Sequence, residues 1–195
     1  MPFAVEIFFE ESAELRIRDL WNALEVVQNP SRMKAGGFRP HVTLAVFDEY
    51  AAAFETEFQT FTQDLPAFSL CFPNLGIFPK PEGVVFFSAI LSAELNAIHQ
   101  AFHGRLANFL AGSRNYYQPG QWVPHCTLGI GLTDEEIPPA VRLFTKEPLP
   151  LMAGARALGL VEFPVHREVV TFPIQGELKE ESSPEERPTA KGKAP

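Results

Sequence analysis

The chain has 195 residues, of which 46% are hydrophobic and 21% charged, and a formal net charge of -8. That length accommodates one domain or two small, intimately packed lobes with a substantial core. The acidic balance argues against an extended nucleic-acid groove, which needs a basic stripe to release counterions, but leaves room for capture of one terminal nucleotide or a small phosphate ester. Two cysteines, Cys71 and Cys126, form no disulfide framework. No apolar run reaches the roughly 20 residues of a membrane helix, and no signal peptide is read before the first strand, so a cytoplasmic location is expected.

Phe3 to Phe9 (FAVEIFF) is short, β-branched and aromatic, which reads as a strand. Ser12 is the expected N-cap of a following helix that carries Leu15, Leu20, Trp21 and Leu24, and Asn29-Pro30 stops it. Gly36-Gly37 supplies a loop before the segment HVTLAVF, His41 to Phe47. Phe54, Phe58 and Phe61 predict an amphipathic helix over Tyr50 to Asp64. Phe68 to Phe78 alternates as a strand with an irregularity at Pro73-Asn74, and Val84 to Leu91 reads as a strand buried on both faces.

A second long helix is expected from Ala93 to Leu110, with Leu95, Ile98, Phe102, Leu106 and Phe109 facing the core. A loop with Tyr116, Tyr117 and Gly120 then leads to the segment HCTLGI, His125 to Ile130. Thr133 with Glu135 and Glu136 marks a helix start that Pro138-Pro139 complicates. Strands over Ala155 to Phe163 and Glu168 to Ile174 follow, joined by a turn near Val165-His166. From Glu177 onward the composition is that of a disordered charged tail, leaving 1–176 as a single bilobal domain and 177–195 outside it.

One five-residue string occurs twice. Pro40-His41-Val42-Thr43-Leu44 returns 84 residues later as Pro124-His125-Cys126-Thr127-Leu128, in a chain with only five histidines. Side chains alternate along a strand, so His41 and Thr43 share one face and Val42, Leu44 and Val46 the other. In the second copy His125 and Thr127 lie opposite Cys126, Leu128 and Ile130, which sends the Cys126 thiol to the core. The next residue on each polar face is Ala45 or Gly129, and their small size is expected to leave room for a ligand. Each half then contributes a motif strand, a following helix and a strand pair. This predicts an α+β fold of bilobal, pseudo-twofold design, with two antiparallel sheets and outer helices around a central cleft.

Displacement at phosphorus needs a base for the attacking oxygen and an acid for the leaving one, on opposite sides of the phosphate. Histidine, with an unperturbed pKa of about 6.5, serves either role near neutral pH. Two threonine hydroxyls can donate hydrogen bonds to the non-bridging oxygens. The expected catalytic set is therefore His41, Thr43, His125 and Thr127, and the chemistry requires no metal or cofactor.

The paired His-x-Thr-Leu motifs resemble those of the 2H phosphoesterase superfamily, and most nearly its bacterial 2′-5′ RNA ligase / RNA 2′,3′-cyclic phosphodiesterase branch. Leu75-Gly76-Ile77-Phe78-Pro79 and the strand after it are also similar to that branch's central region. The resemblance spans residues 3 to 175 in element order, and its two motifs are the specific part. It implies a cleft holding both histidines and metal-independent opening of 2′,3′-cyclic phosphates, a reaction that members joining RNA halves through a 2′-5′ bond run reversibly. The implied partner is an RNA 3′ end or a small nucleotide cyclic phosphate; separately, a monomer with no membrane partner is expected. The chain departs from that pattern in having no obvious basic patch for long RNA.

Other residues carry two readings each. Arg39 either faces the cleft and holds a phosphate oxygen or is a surface arginine; Val123 replaces it in the second copy. Phe38, Trp122 and Tyr117 either stack on a nucleobase or sugar or pack in the core. Lys80 either reaches a phosphate or is solvated. His99 and His103, four apart on a helix, read as a solvated flank rather than a zinc grip. His166 has no identifiable partner. For the whole molecule, the alternatives to a phosphodiesterase acting on RNA ends are an esterase of small cyclic phosphates or 2′-5′ oligonucleotides, and a non-catalytic module that binds RNA termini.

Overall fold

The computed structural model describes residues 1–79, 83–164 and 166–176. Lys80, Val165 and the expected tail at 177–195 lie outside the described residues. In chain order the strands are β1 (Phe3–Phe9), β2 (His41–Phe47), β3 (Glu49–Tyr50), β4 (Ser69–Phe72) and β5 (Asn74–Phe78). They continue with β6 (Val84–Ser88), β7 (Leu110–Ala111), β8 (His125–Gly129), β9 (Leu151–Glu162) and β10 (Arg167–Pro173). The α-helices are α1 (Glu11–Ala23), α2 (Arg32–Ala35), α3 (Phe54–Gln63), α4 (Ala93–Leu106) and α5 (Ile137–Phe144).

Two antiparallel sheets carry the molecule. One has the order β10-β9-β1-β2, with β4 pairing the start of β9; the other is β5-β6-β8. A two-stranded ribbon, β3 with β7, lies beside them. Both motif strands, β2 and β8, stand at the edge of their sheets, and the two edges pack against each other. Pro73 is where the chain changes sheets: Phe72 still pairs with Leu151, and Asn74 already pairs with Ser88. A residue without an N–H has no ladder bond to lose there. The single irregular strand expected over Phe68 to Phe78 is thus two strands in two sheets.

The helices tie the lobes together. Helix α1 buries Ala13, Ile17 and Trp21, spaced by four, and packs on β8 as well as β9. Leu15, one of the apolar residues of the expected helix, is exposed, and Ser12 lies inside the helix while Glu10 holds the cap position without a side-chain bond. Helix α3 is shorter than its periodicity suggests, because Tyr50 is drawn into the ribbon opposite Leu110. The same pairing ends α4 at Leu106, four residues early, after a start capped by Ser92 Oγ accepting from the Leu95 N–H. Thr133 and Glu136 exchange the two bonds of a capping box, yet the regular helix begins only at Ile137. Along β6, Ile90 and Leu91 fall beyond the strand and are exposed.

Candidate active site

The two motifs build the same local geometry. The Nδ1–H of His41 donates to the carbonyl of Arg39 at 2.6 Å, and that of His125 to the carbonyl of Val123 at 2.8 Å. A carbonyl only accepts, so each bond fixes Nδ1 as the protonated nitrogen of the neutral ring and leaves Nε2 for chemistry. The bond needs only a backbone oxygen two residues upstream, which is why Arg39 and Val123 serve equally. His41, Thr43, His125 and Thr127 line one cleft of about 630 Å³, together with Phe38, Tyr116, Tyr117, Phe78, Gln121 and Phe163.

Both motif strands are bulged at the same place. Along β1, Val5 pairs with Ala45 and Glu6 with Thr43, so Leu44 is passed over. Along β6, Val85 pairs with Gly129 and Phe86 with Thr127, so Leu128, 84 residues later, is passed over in turn. An extra residue resets the alternation of side chains. Simple alternation placed Ala45 and Gly129 on the cleft face. Instead Ala45 is in the core, a Cβ on Gly129 would meet Leu24 and Leu132, and Val46 and Ile130 line the cleft. The cleft therefore does not owe its space to these two small residues, and its floor is more apolar than expected.

Indole donors hold the motif carbonyls in crossed fashion. Trp122 Nε1–H donates to Thr43 O at 2.9 Å, and Trp21 Nε1–H to Thr127 O at 3.1 Å. Each motif strand is thereby bonded by a tryptophan from the other half of the sequence. Trp122 is buried and stacked on His99, with ring centroids 4.0 Å apart and planes at 8°, so it packs in the core rather than offering a platform. Beneath it His99 and His103 are also buried, which corrects the solvated flank expected for them. Burial, and next the neighbouring His103, lower the His99 pKa to about 4, and burial lowers that of His103.

Phe38 and Tyr117 do line the cleft. The Tyr117 hydroxyl lies beside Thr43 and its pKa is pushed up to about 12, mainly by burial, so it is a neutral donor there. Arg39 turns away: its guanidinium pairs with Glu14 at 2.6 Å and lies 4.1 Å from the centroid of the Phe8 ring, on a different groove. Its backbone, not its charge, serves the site. Cys126 is fully buried, with its thiol pushed up to about 12 by burial. Burial between Phe78 and Phe86 is also the main influence on His125, lowering its pKa; the Val123 bond opposes this and His41 adds to it. Burial thus favours a neutral ring at His125.

Sequence reading missed Glu6. It is fully buried on β1 opposite Thr43, with Oε1 3.4 Å from His41 Nε2 and 3.5 Å from His166 Nε2. The signal was present as the one charged residue in FAVEIFF, since a carboxylate inside an apolar strand is costly unless it is partnered.

A family model described as the 2′-5′ RNA ligase superfamily matches residues 9–167. A Bacillus thuringiensis (strain Al Hakam) protein, provisionally named a phosphoesterase, is 29% identical over 131 residues, covering 58% of this chain and 72% of its own. A similarly named Bacillus cereus (strain AH187) protein matches equally well. The fold is shared with E. coli LigT, solved with 3′-AMP, at a TM-score of 0.55 and 15% identity over 90% of this chain and 97% of that one. It is also shared with the TT0787 protein of Thermus thermophilus, at 0.52 and 16% over 91% of this chain and 100% of that one. Among the described residues no helix is long and apolar enough to cross a membrane.

Proposed function

Since the chain belongs to the 2′-5′ RNA ligase superfamily, we propose that it is a phosphodiesterase opening 2′,3′-cyclic phosphates by paired histidine acid–base catalysis. The carrying observation is the mirrored pair of imidazoles, each fixed through Nδ1 to a carbonyl two residues upstream and both lining one cleft. In the hydrolytic direction the neutral His125 takes a proton from water through Nε2 as the water oxygen bonds to phosphorus. The bond from phosphorus to one ribose oxygen breaks, and His41 Nε2 delivers a proton to that oxygen. The two rings exchange protonation states over one turnover and are reset through solvent. Thr43 and Thr127 hydroxyls donate to the non-bridging oxygens, where charge builds in the transition state. With the 5′-hydroxyl of a second chain attacking in place of water and the 3′ oxygen leaving, the same steps form a 2′-5′ bond, and run backwards they cleave it to the cyclic phosphate.

The assay is turnover of a nucleoside 2′,3′-cyclic phosphate in EDTA by the wild type, His41→Ala and His125→Ala. Each substitution is expected to lower kcat by about 10²–10⁴-fold, the range of a positioned acid or base. Full activity in either variant, or loss of wild-type activity on chelation, would overturn the reading. A second reading, that a small nucleotide rather than an RNA end is the substrate, is favoured by the net charge of -8 and by a cleft within the size range of small-molecule sites.

A further inference from the structure

Glu6, His41 and His166 are one cluster. Their nearest ligating atoms all lie within 4.8 Å of one another, and among the described residues no other group of three histidine, cysteine or acidic side chains is so arranged. Glu6 is fully buried and neither of its carboxylate oxygens has a hydrogen-bond partner; the buried Nε2 of His166 has none either. A buried carboxylate left in this state is expensive, so the cluster calls for a cation.

A shared proton is the first cation to consider. It would draw a charged N–H···O pair to about 2.7–2.9 Å. The two imidazole–carboxylate distances are 3.4 and 3.5 Å, and both converge on the same oxygen. Nitrogen and oxygen ligands at about 2.0–2.1 Å from a tetrahedral ion are separated by about 3.4 Å, which matches these spacings. The tautomer fits as well. His41 already donates its Nδ1–H to the Arg39 carbonyl, the outer bond that a metal-bound histidine usually makes, and in its neutral form presents a lone pair at Nε2. His166 is held in place by rings, with Phe38 at 4.2 Å and Phe163 at 5.4 Å between centroids.

The geometry points to a site for a divalent transition ion of the Zn²⁺ type, made by the carboxylate of Glu6 and the Nε2 atoms of His41 and His166. Two imidazoles and one carboxylate suit such an ion over Mg²⁺ or Ca²⁺, which take oxygen donors. Because His41 also lines the cleft, the ion has a route in from solvent. Its occupancy ties up the nitrogen that delivers the proton, so the bound ion is an inhibitor of the reaction proposed above. That consequence rests on the proposed function; the binding does not.

The test is isothermal titration of the EDTA-stripped, buffer-exchanged full chain with Zn²⁺, for the wild type, Glu6→Gln and His166→Ala, with circular dichroism to check folding. The expected result is one tight ion per wild-type chain and affinity lower by more than about 100-fold in both variants, since losing a ligand should exceed the loss from an outer-shell partner. Uptake that is absent, or unchanged in His166→Ala, overturns the site; should Glu6→Gln fail to fold, His166→Ala decides alone. In a parallel assay wild-type turnover should fall over the same Zn²⁺ range, while His166→Ala holds whatever rate it starts from across that range. Wild-type activity that persists at full occupancy overturns the inhibitory role. Absence of turnover in the stripped protein counts against the proposed function and leaves the calorimetric answer standing.

Discussion

At the scale of single residues, the two histidines of the site are distinguished by their surroundings more than by their motifs. His125 sits among Phe78 and Phe86, and burial lowers its pKa from the usual value of about 6.5. A base must be unprotonated to accept from water, so activity should survive to a lower pH than an unperturbed histidine would permit. Specifically, the acidic limb of kcat/KM should have its midpoint below about 6.5 and should move up in Phe86→Ser, which wets the ring. A limb that stays put in that variant would mean that burial does not set it. Thr43 and Thr127 make a separate prediction. Replacing either with Val should lower kcat by roughly 10²-fold while leaving KM within a few fold, as expected for a donor that acts on developing charge.

At the scale of elements, the bulges at Leu44 and Leu128 explain both what the sequence disclosed and what it concealed. The strand character of each motif, the shared face of His and Thr and the core position of Cys126 follow from alternation, which is a local property of the chain. A bulge depends on which strand lies alongside, so the exchange of Ala45 for Val46 and of Gly129 for Ile130 has no local signature. The contacts of Trp122 and the burial of His99 and His103 were hidden for the same reason: they join segments far apart in the chain. Glu6 is the exception, legible as a lone acid in an apolar strand although its partners are not. Two outcomes test this level. Ala45→Leu should cost about 1–3 kcal/mol of stability by overpacking the core, whereas Val46→Ala should be milder and change KM, as measured by urea titration and kinetics. If Ala45→Leu instead obstructs substrate without loss of stability, the bulge is misplaced.

The buried histidine pair makes a prediction in which the sign matters. His99 has a folded-state pKa of about 4, lowered by burial, against about 6.5 unfolded. The unfolded chain therefore binds more protons between those values, and stability falls as pH is lowered through that window. Its contribution is fully present above about 6.5 and declines by up to roughly 1.4 kcal/mol per pH unit towards pH 4. Urea midpoints at pH 7 and pH 5 should show the loss, and His99→Phe, which keeps a ring against Trp122, should reduce the slope. An unchanged slope would show that His99 is not the group responsible.

At the scale of the whole molecule, each of the two edge strands is braced by a tryptophan from the other half of the sequence. Trp21 from the first half bonds the Thr127 carbonyl, and Trp122 from the second half bonds that of Thr43. This arrangement makes the cleft a property of both halves together, so neither motif has a site of its own. The net charge of -8 acts at the same scale. Catalytic efficiency on a mononucleotide cyclic phosphate should change little with salt, whereas a steep salt slope together with preference for RNA would favour the RNA-end reading.

The central claim is that His41 and His125 act as one unit on one phosphate. Single-turnover opening of a nucleoside 2′,3′-cyclic phosphate, measured in EDTA for the wild type, both single alanine variants and the double variant, tests it most directly. Groups that share one transition state are grossly non-additive, so the double variant should be no more than a few fold slower than the slower single one. Losses that multiply across the cycle, or a single variant that keeps wild-type rate, would contradict the account.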